Sequence, residues 1–218
     1  MIKGVKHNKY IIKIITMSTL KRKAFILTGD ILSERYLFSK NVLENIGFDV
    51  HYVIYIPNND KVLSNKISMQ YIYELITNMD DIDNEFVYVF EDDINVLESI
   101  TLDEIVKYEK ITEMFFYLGI CEYLDTPIIK TDILIDNHPV YQKKGYVHGL
   151  HAIGLSKSGA NELLNFSKIS KQAFMDVVLQ EFSDLYPANI VRYDLCSCIG
   201  GHRGIIFQDR DRFPSTIA

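Results

Sequence analysis

VYVFEDDIN, residues 87–95, runs four apolar residues straight into three adjacent carboxylates, Glu91, Asp92 and Asp93. A short continuous apolar run reads as a strand covered on both faces. In open α/β sheets, ligands bind beyond the carboxyl ends of such strands. Three neighbouring negative charges repel, at a mild cost, unless something positive sits among them. Extended backbone there sends Glu91 and Asp93 to one side and Asp92 to the other. Two carboxylates on one edge suit a hard divalent cation, Mg²⁺ or Mn²⁺, which takes oxygen ligands and shares them with phosphates. A solvated acidic turn, with Asp92 or Asp93 capping the next segment, accounts for the same residues.

The flanking sequence alternates between strand and helix patterns. Ala24 to Leu27 is an apolar run ended by Thr28-Gly29-Asp30. Leu32, Tyr36, Leu43 and Ile46 recur near helical spacing, and Gly47 is a natural stop. Val50 to Ile56 reads as a second strand and 57–60 as a loop. Residues 64–78 read as a helix, and Phe86 to Phe90 as the third strand. Strand–helix–strand–helix–strand predicts parallel pairing with helices on the faces, an α/β fold built on a mostly parallel central sheet. Thr101 with Glu104 has capping-box spacing for a helix near 102–110. FFYLG, residues 115–119, is another buried strand. Residues 124–147 are irregular, with Pro127, Pro139 and Lys143-Lys144, and are assigned on that ground to an acceptor-facing wall. Ser156 caps a helix holding Ala160, Leu163 and Leu164, and a further helix is predicted near 171–183. The glycine- and charge-rich stretch from Gly200 onward reads as a loop-like tail.

The 218 residues include 48% hydrophobic positions, enough for one well-packed domain, and carry a net charge of -6, which argues against nucleic acid as a partner. Cys121, Cys196 and Cys198 make no disulfide framework, and one residue between the last two is not a redox or zinc spacing. Reduced thiols are expected. Residues 1–22 form a basic extension; with Lys23, seven Lys or Arg precede the first acid, Asp30. It reads as an extra strand or solvated arm in preference to a contact with an anionic membrane surface. No apolar run is long enough to cross a bilayer, and the short Ile11–Ile15 stretch is no signal peptide. A cytoplasmic chain is expected.

Read in order, these pieces resemble a known family. A strand ending in EDD looks like the DxD-type signature of nucleotide-sugar glycosyltransferases with the GT-A fold. The order AFILTGD, SERYLF with Arg35, SNKISMQYIYELI from Ser64, EDD, FFYLG, GLHAIGLSKSGANELL from Gly149 to Leu164, FMDVVL with Asp176 and QDRDRFPSTIA is similar to glycosyltransferase family 25, the lipopolysaccharide and collagen galactosyltransferases. The resemblance covers residues 24–218 and is nearest the compact versions of large DNA viruses, which would put the chain in a host cytoplasm. Asn65 stands where a histidine often follows the serine.

The resemblance implies a single GT-A domain over residues 23–218, with a nucleotide-binding half over about 23–123 and an acceptor-side half over about 124–218. It also implies a metal-dependent, inverting transfer of sugar from a nucleoside diphosphate, taken as UDP, to a hydroxyl of a glycan or glycoprotein. Asp93 would ligate Mn²⁺ or Mg²⁺ directly, Glu91 would help through water or the ribose, and Asp92 would orient the loop. His202, between glycines, would complete the metal set, and Arg203 would clamp a phosphate; a solvated surface loop is the other reading. Thr28, Gly29 and Asp30 would lie by the base and ribose, and Arg35 and Lys66 by the diphosphate. Each of these has an ordinary alternative as cap, ion pair or solvated side chain, and Ser64 as an N-cap. Asp176 would be the base, or else an exposed helical Asp. His148 and His151 would border the acceptor pocket or be satisfied by backbone. Two other functions fit an acidic strand end. A metal-dependent phosphohydrolase would need a nucleophilic Asp directly after the first strand, where Thr28 and Gly29 intervene before Asp30. A non-catalytic sugar-nucleotide-binding domain would keep the fold alone.

Overall fold

Strand β3 (Phe86–Glu91) lies inside the sheet, with β1 (Lys23–Thr28) parallel on one side and β9 (Ala152–Ser156) antiparallel on the other. In the computed structural model the described residues are 21–80, 85–121, 128–144, 149–195 and 202–214. The basic arm up to residue 20, His148, Cys196, Cys198, Gly200, Gly201 and the tail from 215 lie outside them.

Alternation through β3 shows why its run is continuous. Val87 and Val89 face one apolar cluster, and Phe86, Tyr88 and Phe90 face the other. The first cluster is closed by α2 (Lys61–Thr77), α4 (Lys157–Ile169) and α5 (Met175–Leu185), through Met69, Ile72, Leu163 and Phe182. The second is closed by α1 (Glu34–Ile46) and α3 (Leu102–Glu109), through Tyr36, Leu43, Ile105 and Tyr108. The architecture is therefore α/β, with one central sheet between helical layers.

That sheet has eight strands. With β2 (Asp49–Ile54), β5 (Phe115–Tyr117), β7 (Ile128–Ile135), β8 (His138–Lys143) and β10 (Ala188–Ile190), the order is β2-β1-β3-β9-β5-β10-β8-β7. The joins β2-β1, β1-β3 and β5-β10 are parallel, and the other four antiparallel. The sheet is mixed, which corrects the expected mostly parallel one. Burial on both faces makes a strand apolar whichever way it runs, so the apolar pattern of residues 152–155 carried no sign of direction. Residues 23–123 and 124–218 do not form separate halves of the sheet, because β9 inserts between β3 and β5.

Local chemistry sets the helix ends. Ser33 Oγ accepts from Tyr36 N and Gly47 closes α1 at φ 115°. Asp60, not Ser64, caps α2, accepting from Val62 N and Leu63 N. Ser156 caps α4 as expected, accepting from Gly159 N. Thr101 holds the N-cap position of α3 without a side-chain hydrogen bond, so no capping box forms; Glu104 turns instead to Arg192. The segment 128–143 is a β-hairpin turning at Asp136 and Asn137, both at positive φ, and Lys143 is fully buried against Ser183. The part of the expected irregular stretch that falls among the described residues, 128–143, is therefore regular hairpin, and 124–127 and 145–147 lie outside them. Arg22, counted with the extension, is 8% exposed and ion-paired with Glu109, so the folded unit already includes it.

Two small ribbons finish the fold. After Tyr117 the chain leaves the main sheet and continues as β6 (Gly119–Cys121), paired antiparallel with β11 (His202–Gly204). The strand β4 (Ile94–Val96), directly after the three acids, pairs antiparallel with β12 (Ile206–Gln208). The stretch expected to be a loop-like tail thus supplies two strands. No described helix is long and apolar enough to cross a membrane.

Candidate active site at the acidic strand end

In the parallel register Leu27 lies opposite Glu91, so Thr28 and the acidic trio leave the sheet side by side. The backbone turns at Asp92 and Asp93, so the strand alternation expected for the trio stops after Glu91. Asp92 accepts from Thr28 Oγ1 at 2.7 Å and from Arg35 Nε at 3.1 Å, and its carbonyl accepts from Ser39 Oγ. Asp93, 1% exposed, faces two guanidinium groups: its Oδ2 lies 3.2 Å from Arg35 Nη2 and 2.8 Å from Arg210 Nη1. Glu91 accepts from the Gln208 side-chain amide. Two arginines, one on the first turn of α1 and one just past β12, supply the positive charge that three neighbouring carboxylates require.

Among the described residues, Asp93 Oδ1 is buried with no hydrogen-bond partner. An unsatisfied carboxylate oxygen is a ligand atom a hard divalent cation takes, so Asp93 fits that group through Oδ1, while Oδ2 is held by Arg35 and Arg210. His202 does not join them. Its neighbours are Cys121, 3.5 Å from Sγ to Nδ1, and His151, with ring centroids 5.4 Å apart. Ligand atoms of Cys121, His151 and His202 lie within 4.8 Å of one another.

Beside the acids lies a cavity of about 240 Å³, lined by Glu91, Asp176, Arg210, Gln208, Cys121 and His151 among others. Asp176 enters it from the first turn of α5. Asn65 and Val62 line it from α2, and Leu150 and Met175 complete its apolar wall. Burial, then the charge of Asp93, pushes the Glu91 carboxyl up to about 8, with Arg210 pulling the other way. Burial also raises the Asp93 carboxyl, against both arginines. Burial pushes the Cys121 thiol up to about 12 and drops His151 to about 3, so this pair is a thiol and a neutral imidazole, not a reactive thiolate couple. His151, one of the two histidines expected at an acceptor pocket, lines this cavity, and its Nε2 donates to Ile206 O at 3.3 Å.

Other expected residues go elsewhere. Ser64 Oγ donates to Ile56 O at 2.6 Å, tying the head of α2 to the preceding loop. The Lys66 ammonium is bound by the carbonyls of Ser170 and Gln172. Arg203 lies over the Tyr193 ring at 5.5 Å. Asp30 accepts from Leu32 N in its own turn, and Gly29 is exposed beside it. Arg210, Gln208 and Cys121 were not singled out. Arg210 was visible in QDRDRF, but nothing local shows that this segment returns to β4.

The raised Glu91 carboxyl has a signed consequence in chelator-treated protein. The unfolded chain releases this proton near 4.5 and the folded chain near 8, so Glu91 removes stability as pH rises through that window. His151, neutral when folded down to about 3 but protonating near 6.5 when unfolded, adds stability as pH rises to 6.5 and is silent above it. The melting temperature is therefore expected to fall most steeply between about 6.5 and 8. Glu91→Gln should flatten that limb in a thermal scan across pH; an unchanged limb assigns it to other groups.

No protein-family model matches the chain, and a search of curated proteins finds no match.

Proposed function

We propose that the chain is a metal-dependent glycosyltransferase of GT-A type, moving a sugar from a nucleoside diphosphate, taken as UDP, to a hydroxyl of a glycan or glycoprotein, with inversion. One observation carries this reading. Glu91 and Asp176, far apart in the chain, line one cavity beyond the carboxyl ends of the parallel strands β1 and β3. Breaking the bond between an anomeric carbon and a phosphate oxygen builds negative charge on the leaving diphosphate. A divalent cation held by Asp93 and Glu91 would supply Lewis-acid neutralisation of that charge. Arg210, at the cavity edge with 41% of its side chain exposed, and Arg35 add fixed positive charge nearby. Asp176 faces the same space and takes the proton of the attacking hydroxyl. The apolar wall of Leu150 and Met175 limits water.

A second reading, a domain that binds a sugar nucleotide without turning it over, is favoured by the arginine pairs on Asp93, which already neutralise the site. Calorimetry with UDP, with and without Mn²⁺, followed by a sugar-nucleotide panel scored for transfer or hydrolysis, separates the two. Metal-dependent UDP binding is expected, weakened ~10²-fold in Asp93→Asn, since a ligated carboxylate contributes several kcal/mol. UDP binding indifferent to Mn²⁺ and to Asp93→Asn would overturn the transferase reading. Binding without turnover of any donor would leave the binding domain.

A further inference from the structure

We propose that Cys121, His151 and His202 form a second metal centre, for a thiophilic divalent cation of the Zn²⁺ type, distinct from the oxygen-lined position at Glu91 and Asp93. The ligand chemistry separates the two. Thiolate and imidazole select zinc and similar ions, whereas Mn²⁺ and Mg²⁺ prefer carboxylate oxygens. The spacing agrees. Zn–S and Zn–N bonds of about 2.3 and 2.05 Å at a tetrahedral angle put S and N about 3.5 Å apart. Cys121 Sγ and His202 Nδ1 are 3.5 Å apart. The widest pair in the cluster is within 4.8 Å, so closure asks for a shift of about one ångström.

The backbone holds these residues together. His202 and Cys121 are register partners across the β6–β11 ribbon, and His151 enters from the residue before β9. The His151–Ile206 contact adds a built feature. A carbonyl only accepts, so Nε2 carries the hydrogen and Nδ1 is left with its lone pair. Metal-bound histidines are commonly oriented by a backbone carbonyl on the other nitrogen in this way. Binding releases the Cys121 thiol proton to solvent, and a dication with one thiolate and two neutral imidazoles keeps one positive charge. Three protein ligands leave a fourth position, and because Cys121 and His151 line the cavity, it opens there to water or to an oxygen of a bound molecule.

The test uses Co²⁺ as a spectroscopic stand-in, added to full-length protein stripped with a chelator. One Co²⁺ per chain is expected to give a thiolate-to-cobalt charge-transfer band and the strong visible bands of a four-coordinate ion, both displaced by Zn²⁺ and not by Mg²⁺; Co²⁺ at the carboxylates gives no charge-transfer band. Cys121→Ser should abolish the charge-transfer band, and His202→Ala should weaken Co²⁺ binding at least ~10-fold. His51→Ala, at an exposed histidine paired with Asp49, should change neither. Circular dichroism checks the fold, and His202→Ala decides the matter if Cys121→Ser does not fold. No charge-transfer band in the parent protein, or an unaltered titration in folded His202→Ala, would overturn the centre. These spectra are read without turnover, so a failed transferase assay leaves the result standing, and a failed cobalt titration does not touch the transferase reading.

Discussion

Asp176→Asn is expected to lower sugar transfer ~10²–10⁴-fold, the usual contribution of a positioned general base. Asparagine keeps the shape and loses the basicity. The variant should bind UDP and Mn²⁺ as the parent does, because the proposed cation ligands, Asp93 and Glu91, are untouched. Asp176 sits in the first turn of α5, where a carboxylate complements the helix N-terminus by about 0.3–1 kcal/mol. A helix-capping acid would therefore give a lower melting temperature with turnover intact, and that outcome removes Asp176 from the chemistry.

Gly119→Ala is the largest stability change expected, about 3 kcal/mol or more, from overpacking against backbone. A methyl carbon at Gly119 would lie 1.8 Å from Ile206 O and 2.8 Å from His151 Nε2. Neither is the free end of a flexible side chain, so β12 must move away from β6. That strand leads into Gln208 and Arg210, the partners of Glu91 and Asp93. Loss of stability and loss of the site should therefore appear together. Gly29→Ala is the contrast: its new carbon would meet only Tyr55 Cδ2, at 4.0 Å, and should shift stability by no more than about 0.5 kcal/mol. Urea midpoints of the two variants, measured side by side, check both. Near-equal midpoints would mean that β12 relaxes freely.

The first three strands and the helices between them were legible because their signals are local: apolar runs, helical spacing, and Gly47 as a stop. The mixed sheet was not, since direction depends on where β9 inserts, and nothing in AIGLS carries that information. At the site, Glu91, Asp92, Asp93, Arg35 and Asp176 were legible as a strand end, an early helix turn and a lone helical acid. Reading Arg35 as a diphosphate contact overlooked its nearer partners, Asp92 and Asp93. Arg210 depends on a pairing between β4 and β12 that spans more than half the chain, and His202 on a register opposite Cys121. Those are tertiary facts, and residue type alone does not encode them. Lys66 shows the reverse error: a basic residue early in a helix invites a phosphate, but two nearby carbonyls take it.

The antiparallel pairing of β12 with β4 also has a consequence for biosynthesis. A ribosome makes β4 long before β12, so a half-made chain presents a bare strand edge next to carboxylates that Arg210 has not reached. Unpaired edges are templates for joining other chains. The nascent polypeptide is thus most exposed to aggregation after β4 emerges and before residue 210 does, and stalling translation within that interval should yield insoluble product that release of the full chain does not.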